Sequence, residues 1–558
     1  MPGKFKKHSI MSIVPERKIL IYNLAIAAIA SLLFIPFLGE VHLFDWDEIN
    51  FAESAREMIA SGDYLTVQIN FIPFWEKPPL FIWMQVLSMK IFGINEFAAR
   101  FPNAICGVVS LLVLFNTGRK LTDIRFGLLW VMLYAGAMLP FLFFKSGIID
   151  PWFNLFIFIG IYQFYLYFEN SEHKMLRAAL SAMFIGLAIL TKGPVALLVF
   201  LICFVVFLLV KKFMVKIRLQ DVLIFSIVLV ITGGLWFILQ ILQGNFTIIA
   251  DFIVYQIRLF KTQDAGHGGF LLYHFVVLLI GVFPASMIAL PAFFPSKYAK
   301  IEKTGFYLWM LILFWVVLIL FTIVRTKIVH YSSLCYFPLT FMAAWSIYHY
   351  SESYKKRTEK IVRWLIMVTG LILALLLIVI TCTETFKDFI IRNNWINDPF
   401  AVANLAADGN WKGYEFVAGA MLVIALVFFA LQKNLKKAIW ILTGIIPFFM
   451  FLSLALIVPK VESYSQRAAI EFFESVSDED VYLSTLGYKS YAHLFYGKIR
   501  NQTNEKSREK EWLLRGNIDK TAYFSTKINH KQKIISENPS LIYLYEKNGF
   551  VFFKRNVE

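Results

Sequence analysis

Two short stretches hold the residues best suited to chemistry: FDWDEINFAESAREM, with Asp47 and Glu48, and FWEKPPL, with Glu76 and Lys77. A carboxylate can take a proton from an incoming nucleophile, and an ammonium beside it can stabilise a developing anion. Asp47 is assigned the base, with Glu48 as a second catalytic carboxylate. Helix capping accounts for one acid at such a helix start without any chemistry. Lys77 precedes Pro78-Pro79, which stiffen the backbone and block helical continuation, so its ammonium is presented from a fixed platform. A snorkelling interfacial lysine is the bland alternative.

These loops follow the first long apolar run of a 558-residue chain that is 58% hydrophobic, 17% aromatic and only 16% charged, far outside the soluble range. The apolar runs predict an all-α polytopic membrane protein with about 13 transmembrane helices, each spanning a hydrocarbon core of about 30 Å. The first covers Ile19 to Leu38; later ones start near Arg100, Phe126, Pro151, Leu176, Pro194, Val222, Phe270, Phe306, Ile328, Ile361, Tyr414 and Lys437. No small-residue cleavage site follows the first run, which predicts a retained span.

Lys and Arg concentrate in alternate connections, including the N-terminus, Arg119/Lys120/Arg125, Lys211/Lys212/Lys216/Arg218 and Lys355/Lys356/Arg357/Lys360. The positive-inside rule then puts the N-terminus in the cytoplasm and the first loop, 39–99, outside. Residues 1–458 are expected to form the membrane domain. Residues 459–558 are expected to form an extracytoplasmic α/β domain, with VYLSTL, TAYFST, LIYLYE and FVFFKR as short strands. The net charge of +16 is explained by the inner loops and requires no nucleic-acid partner. Cys106, Cys203, Cys335 and Cys382 lie in or beside apolar runs without a CxxC pair, so no disulfide is expected. The chain also lacks GxGxxG after a strand, GxxxxGK[ST] and HExxH, leaving nucleotide folds and zinc-protease sites unsupported.

The remaining candidates fall on the same outer side. Asp150 lies in KSGIIDP, where an acid before proline is also a helix N-cap; Lys192 lies in TKGP; Lys327, His330 and Tyr331 lie in RTKIVHY. The stretch NFTIIADFIVYQIRLFKTQDAGHGG carries Arg258 and Lys261, and its Gly266, Gly268 and Gly269 suit either a mobile segment closing over a headgroup or a plain connector. The outer face offers no nucleotide sugars, so a transferase there must draw on an exported donor such as a polyprenyl phosphate. That leaving group is already good; the reaction needs a carboxylate for the acceptor proton and cations for the departing phosphate. Asp47, Glu48 and Asp150 are therefore candidates for catalysis, Lys77, Arg258 and Lys192 for the donor phosphate, and Glu76, Lys327, His330 and Tyr331 for the cavity wall. Glu76, His330 and His267 are conceivable metal ligands, but no zinc-type spacing joins them and no metal is assigned.

With these residues in place, the chain resembles the membrane glycosyltransferases that use polyprenyl-phosphate sugars: the dolichyl-phosphate-mannose protein mannosyltransferase family and bacterial relatives, including the lipid A aminoarabinose transferases. DEINFAESAREMIASGDY, FWEKPPLFIW, FGINEFAARFPNAICG, KSGIIDP, LTKGPVALL and KIVHYSSLCYFPL carry the resemblance, in order. The resemblance implies the GT-C fold, an outward catalytic cavity and inverting transfer from a donor such as undecaprenyl phosphate, to a lipid A-like glycolipid or a protein, at the cytoplasmic membrane. It also implies that Asp47 is the essential first-loop acid, Lys77 the donor-phosphate lysine, Asp150 a second functional acid and Tyr331 a cavity tyrosine. The aminoarabinose transferases usually have Arg three positions after the first acid, where this chain has Asn50. Two rivals remain: a transporter or flippase of lipid-linked sugars, whose ionisable residues belong near mid-membrane in paired repeats, and a non-catalytic scaffold that binds through its tail.

Overall fold

The computed structural model describes residues 15–169, 172–261, 268–294, 305–350 and 356–557. The basic N-terminus, Gly266, His267 and Lys355 lie outside the described residues, as does the side chain of Lys261. Each expected apolar run forms helix. Among the described residues seven helices are long and apolar enough to cross a membrane, or nine if two bent pairs, Ile124–Ala135 with Met138–Phe144 and Tyr273–Gly281 with Ala285–Phe293, each count as one span. Other apolar segments, Val195–Val210 and Val417–Leu431 among them, form shorter helices.

Six helices position the chemistry. Helix α1, Glu16–Phe34, leads into α2, Asp47–Ser61, which lies in the first loop and begins with its two acids, where the positive end of the helix dipole favours them. A two-stranded hairpin, β1 (Gln68–Ile69) and β2 (Ile72–Pro73), carries the chain back to Glu76 and Lys77. Glu57 of α2 holds that hairpin, accepting the Asn70 and Phe71 N–H groups at 2.6 and 2.7 Å. After α3 (Leu80–Phe92), Asn95 caps α4 (Glu96–Leu121) by accepting the Ala98 N–H at 2.9 Å. Two later helices, α5 (Asp150–Glu169) and α6 (Lys174–Lys192), put Asp150 at the start of one and Lys192 at the end of the other. Gly193, with φ +104°, breaks the chain immediately after Lys192 in a conformation that suits glycine.

The first part of the stretch from 243 to 269 is not an open loop. Residues Phe246–Lys261 form a helix, α7, with Phe252 and Tyr255 buried and Ile253, Val254 and Ile257 exposed. That two-sided pattern is what an interfacial helix requires.

The tail is an α/β unit. All four predicted runs are strands, β3 (Tyr482–Leu486), β4 (Ala522–Lys527), β5 (Ile542–Lys547) and β6 (Phe550–Arg555), in the order β3-β4-β6-β5, with β3 parallel to β4 and the other pairings antiparallel. The last long apolar helix, Leu435–Glu462, runs past the expected boundary at 458. The tail does not stand apart from the first loop. Ile49, Ala52, Ala55 and Met58 of α2 share a core with Phe472, Phe473, Phe495 and Phe552, and Arg56 donates to the Ile499 carbonyl at 2.8 Å.

Candidate active site

One cavity of about 330 Å³ lies between the first loop, α5, the end of α6, α7 and the 328–334 segment. Asp47, Glu76, Lys77, Asp150, Lys192, His330 and Tyr331 all line it, so residues from 47 to 331 converge in one hollow. The Lys192 ammonium is 2.5 Å from Asp150 Oδ1 and lies over the Tyr331 ring at 5.3 Å. His330 Nε2 faces Asp47 Oδ2 at 3.6 Å. Tyr255 donates its hydroxyl to Glu76 Oε2 at 2.9 Å, and Lys77 lies 5.2 Å from the centre of the same ring.

Burial lowers the pKa of Lys77, although Glu76, Asp47 and Asp150 pull the other way. Burial also lowers that of His330 against the pull of Asp150 and Asp47, which favours a neutral imidazole beside Asp47. Four carboxyl groups, those of Asp45, Asp47, Glu76 and Asp150, face two lysine ammoniums in this wall.

Two assigned residues make their contacts outside the cavity. Glu48 does not line the cavity; it turns to Arg100, whose Nε and Nη2 donate to its two oxygens at 3.0 and 2.8 Å. Burial pushes the Glu48 carboxyl up, but Arg100 and the Phe44 and Gly147 N–H groups bring it below its ordinary value. Arg100 also donates to the carbonyls of Leu38, Val41 and His42. The pair therefore ties the connection between α1 and α2, the start of α2 and the loop before Asp150 together. Removing one partner strands a buried charge, so Glu48→Gln is expected to cost about 3 kcal/mol, read as a lower thermal midpoint in detergent. Lys327 is the second. Its ammonium donates to the carbonyls of Phe321, Thr322 and Val324 and so closes a helix end rather than lining the cavity. Arg258 is also absent from the wall, but its guanidinium lies 5.1 Å from the ring centre of Tyr255, which is part of it.

Sequence reasoning missed Asp45, Asn154, Tyr255 and Gln256, all in the wall. Asp45 and Trp46 meet the tail: Asp45 bonds with the Ser490 hydroxyl and the Tyr491 backbone, and Trp46 packs on Tyr491 with ring centres 5.3 Å apart. Burial pushes the Asp45 carboxyl up to about 6, against those two bonds. An acid that holds its proton more tightly when folded favours the docked state at low pH. Stability should then fall as pH rises from the ordinary aspartate value of about 4 through the folded value of about 6, and level off beyond it. Thermal midpoints across that interval should show a shallower slope for Asp45→Asn.

Residues 76–236 match the family model described as dolichyl-phosphate-mannose-protein mannosyltransferase, a stretch that contains Glu76, Lys77, Asp150 and Lys192. An undecaprenyl phosphate-alpha-4-amino-4-deoxy-L-arabinose arabinosyl transferase of Pectobacterium carotovorum is 26% identical over 360 residues, 63% of each chain. The protein of the same name from Pectobacterium atrosepticum is 26% identical over 427 residues, 72% of this chain and 74% of its own. The chain thus spans about 63% of the length of the first of these relatives. Crystal structures of ArnT from Cupriavidus metallidurans, at 16% identity, superpose over 96% of this chain and 98% of theirs, with TM-scores of 0.75 in the apo state and 0.72 bound to undecaprenyl phosphate. The chain carries the GT-C fold. It is a multi-pass membrane protein built like the polyprenyl-phosphate-sugar glycosyltransferases, and the GT-C cavity described above is its candidate active site.

Proposed function

We propose that this chain is an inverting glycosyltransferase that moves one sugar from a polyprenyl phosphate, undecaprenyl phosphate in a bacterial membrane, onto an acceptor at the outer face of the cytoplasmic membrane. The observation that carries this is the convergence in one cavity of Asp47, next to His330, with the lysines of two other elements, Lys77 and Lys192. In the proposed reaction Asp47 takes the acceptor hydroxyl proton as the oxygen attacks the anomeric carbon. The bond from that carbon to the phosphate oxygen breaks on the opposite face, and Lys77 receives the negative charge left on the phosphate. Asp150 holds Lys192 in the cavity, and Glu76 and Tyr331 complete its wall. Arg258, on α7 beside Tyr255, approaches the same donor from the interface.

The relatives' names give a donor and no acceptor; a lipid A-like glycolipid or an exported protein is the acceptor proposed. A cytoplasmic N-terminus, an exported first loop and an exported tail domain from about residue 463 accompany this orientation of the cavity. The phosphate contacts are assigned to Lys77 and Lys192, both in the cavity wall. The test is mass spectrometry of envelope lipids and exported proteins with and without the chain, paired with transfer by the purified protein from undecaprenyl-phosphate sugars. A single added sugar residue that depends on the chain is the expected result. No such mass difference, together with no transfer in vitro, would overturn the proposal.

A further inference from the structure

Each of the two cavity acids that begin a helix is followed about one turn later by an asparagine on the same helix: Asp47 by Asn50 on α2, Asp150 by Asn154 on α5. Spacings of three and four residues keep each pair on one helix face, and all four side chains line the cavity. Asn50 and Asn154 are only 3% and 4% exposed. Their carboxamide oxygens have no hydrogen-bond partner among the described residues. Several other buried polar atoms share that condition, but only these two belong to residues of the cavity wall.

The orientation of Asn154 is determined by its neighbours. Ser333 spends its one hydroxyl proton on the His330 carbonyl at 2.5 Å, so toward Asn154 it can only accept. The Asn154 nitrogen must therefore be the atom at 2.8 Å from Ser333 Oγ, which leaves the amide oxygen as the surplus group. A buried amide oxygen with no donor carries a desolvation cost that a ligand O–H or N–H relieves. A phosphodiester cannot do this, because at neutral pH it has acceptors and no protons to give. A sugar ring can, through its hydroxyl or amino groups.

We infer that Asn50 and Asn154 form the subsite that reads the sugar of the donor, apart from the lysines that hold its phosphate. This rests on the donor class proposed above. A neutral amide oxygen does not compete with the phosphate for Lys77 or Lys192, so the two recognition tasks are separated by charge.

The test compares affinities in nanodiscs for bare undecaprenyl phosphate and for the same lipid carrying a hexose, an N-acetylhexosamine or an aminopentose. The protein is expected to prefer at least one sugar-loaded lipid over the bare lipid by about tenfold or more. Asn50→Leu and Asn154→Leu should each bring that ratio close to one while the bare lipid binds much as before. Asn50→Leu gives up no hydrogen bond within the chain, so its thermal midpoint should not fall, which guards against loss of folding as the cause. Unchanged ratios in both variants, parallel loss of bare and loaded lipids, or no sugar preference in the parent protein would overturn the inference. Failure of the parent protein to bind any of these lipids would instead overturn the proposed donor.

Discussion

Asp47→Asn is expected to lower transfer to a hydroxyl acceptor by about 10²–10⁴-fold, the usual contribution of a positioned general base. The substitution keeps the shape of the side chain and removes its basicity. Folding should survive, because Asp47 is about one-third exposed, makes no capping bond, and faces His330 at 3.6 Å rather than within a tight ion pair. Single-turnover transfer by the purified variant, alongside its thermal midpoint, separates the two effects. An acceptor phosphate would already be deprotonated near neutral pH, leaving Asp47 only to orient it, and the loss would shrink accordingly. The size of the defect therefore reports on the acceptor as well as on the residue. Full activity toward a hydroxyl acceptor would remove Asp47 from the role of base. Glu48→Gln should behave oppositely, failing first in stability, because its carboxylate is committed to Arg100.

The contrast between these adjacent acids marks where the sequence stops being informative. Successive residues of a helix point about 100° apart, so DE at a helix start places at most one carboxyl in a given hollow. Which one depends on what the other faces, and Arg100 is 52 residues away with no pattern linking it to Glu48. Lys327 misleads for a similar reason: a lysine at a membrane boundary looks the same whether it reaches into a cavity or back to its own helix end. By contrast, the apolar runs and the four strands of the tail were legible, because hydrophobic length and alternation are local properties. The docking of the tail on Asp45 and Trp46 joins positions more than 400 residues apart and had no local signal. Asp47, Lys77, Asp150, Lys192, His330 and Tyr331 were legible as a set because each sits at the mouth of an apolar segment on the same predicted side, and the fold gathers them.

That clustering also bears on the transporter alternative. A carrier places its ionisable groups along a path near mid-membrane, within broken and repeated helices. Here Asp47 and Asp150 begin their helices and Lys192 ends its own, so the charges meet at helix ends around a single cavity. Such an arrangement suits a bound headgroup that reacts in place.

Lys77→Ala should cost about 3 kcal/mol of transition-state stabilisation, on the order of a hundredfold in transfer rate. Pro78 and Pro79 lead directly into α3, and the Tyr255 ring flanks the ammonium, which fixes its place in the cavity. The second consequence concerns pH. Burial lowers the Lys77 pKa, so the ammonium loses its proton at lower pH than an ordinary lysine. Only the charged form attracts the donor phosphate, and a bound phosphate in turn raises the lysine pKa, so binding takes up a proton wherever the empty site has begun to lose one. Donor affinity should therefore be strongest on the acid side and decline as pH rises through the lowered pKa, before the ordinary lysine value of about 10.4 is reached. Titrating undecaprenyl phosphate binding between about pH 6 and 10 should show that decline in the parent protein and a flatter profile in Lys77→Ala. An identical slope in both would assign the proton to another group and take the leaving-group role from Lys77.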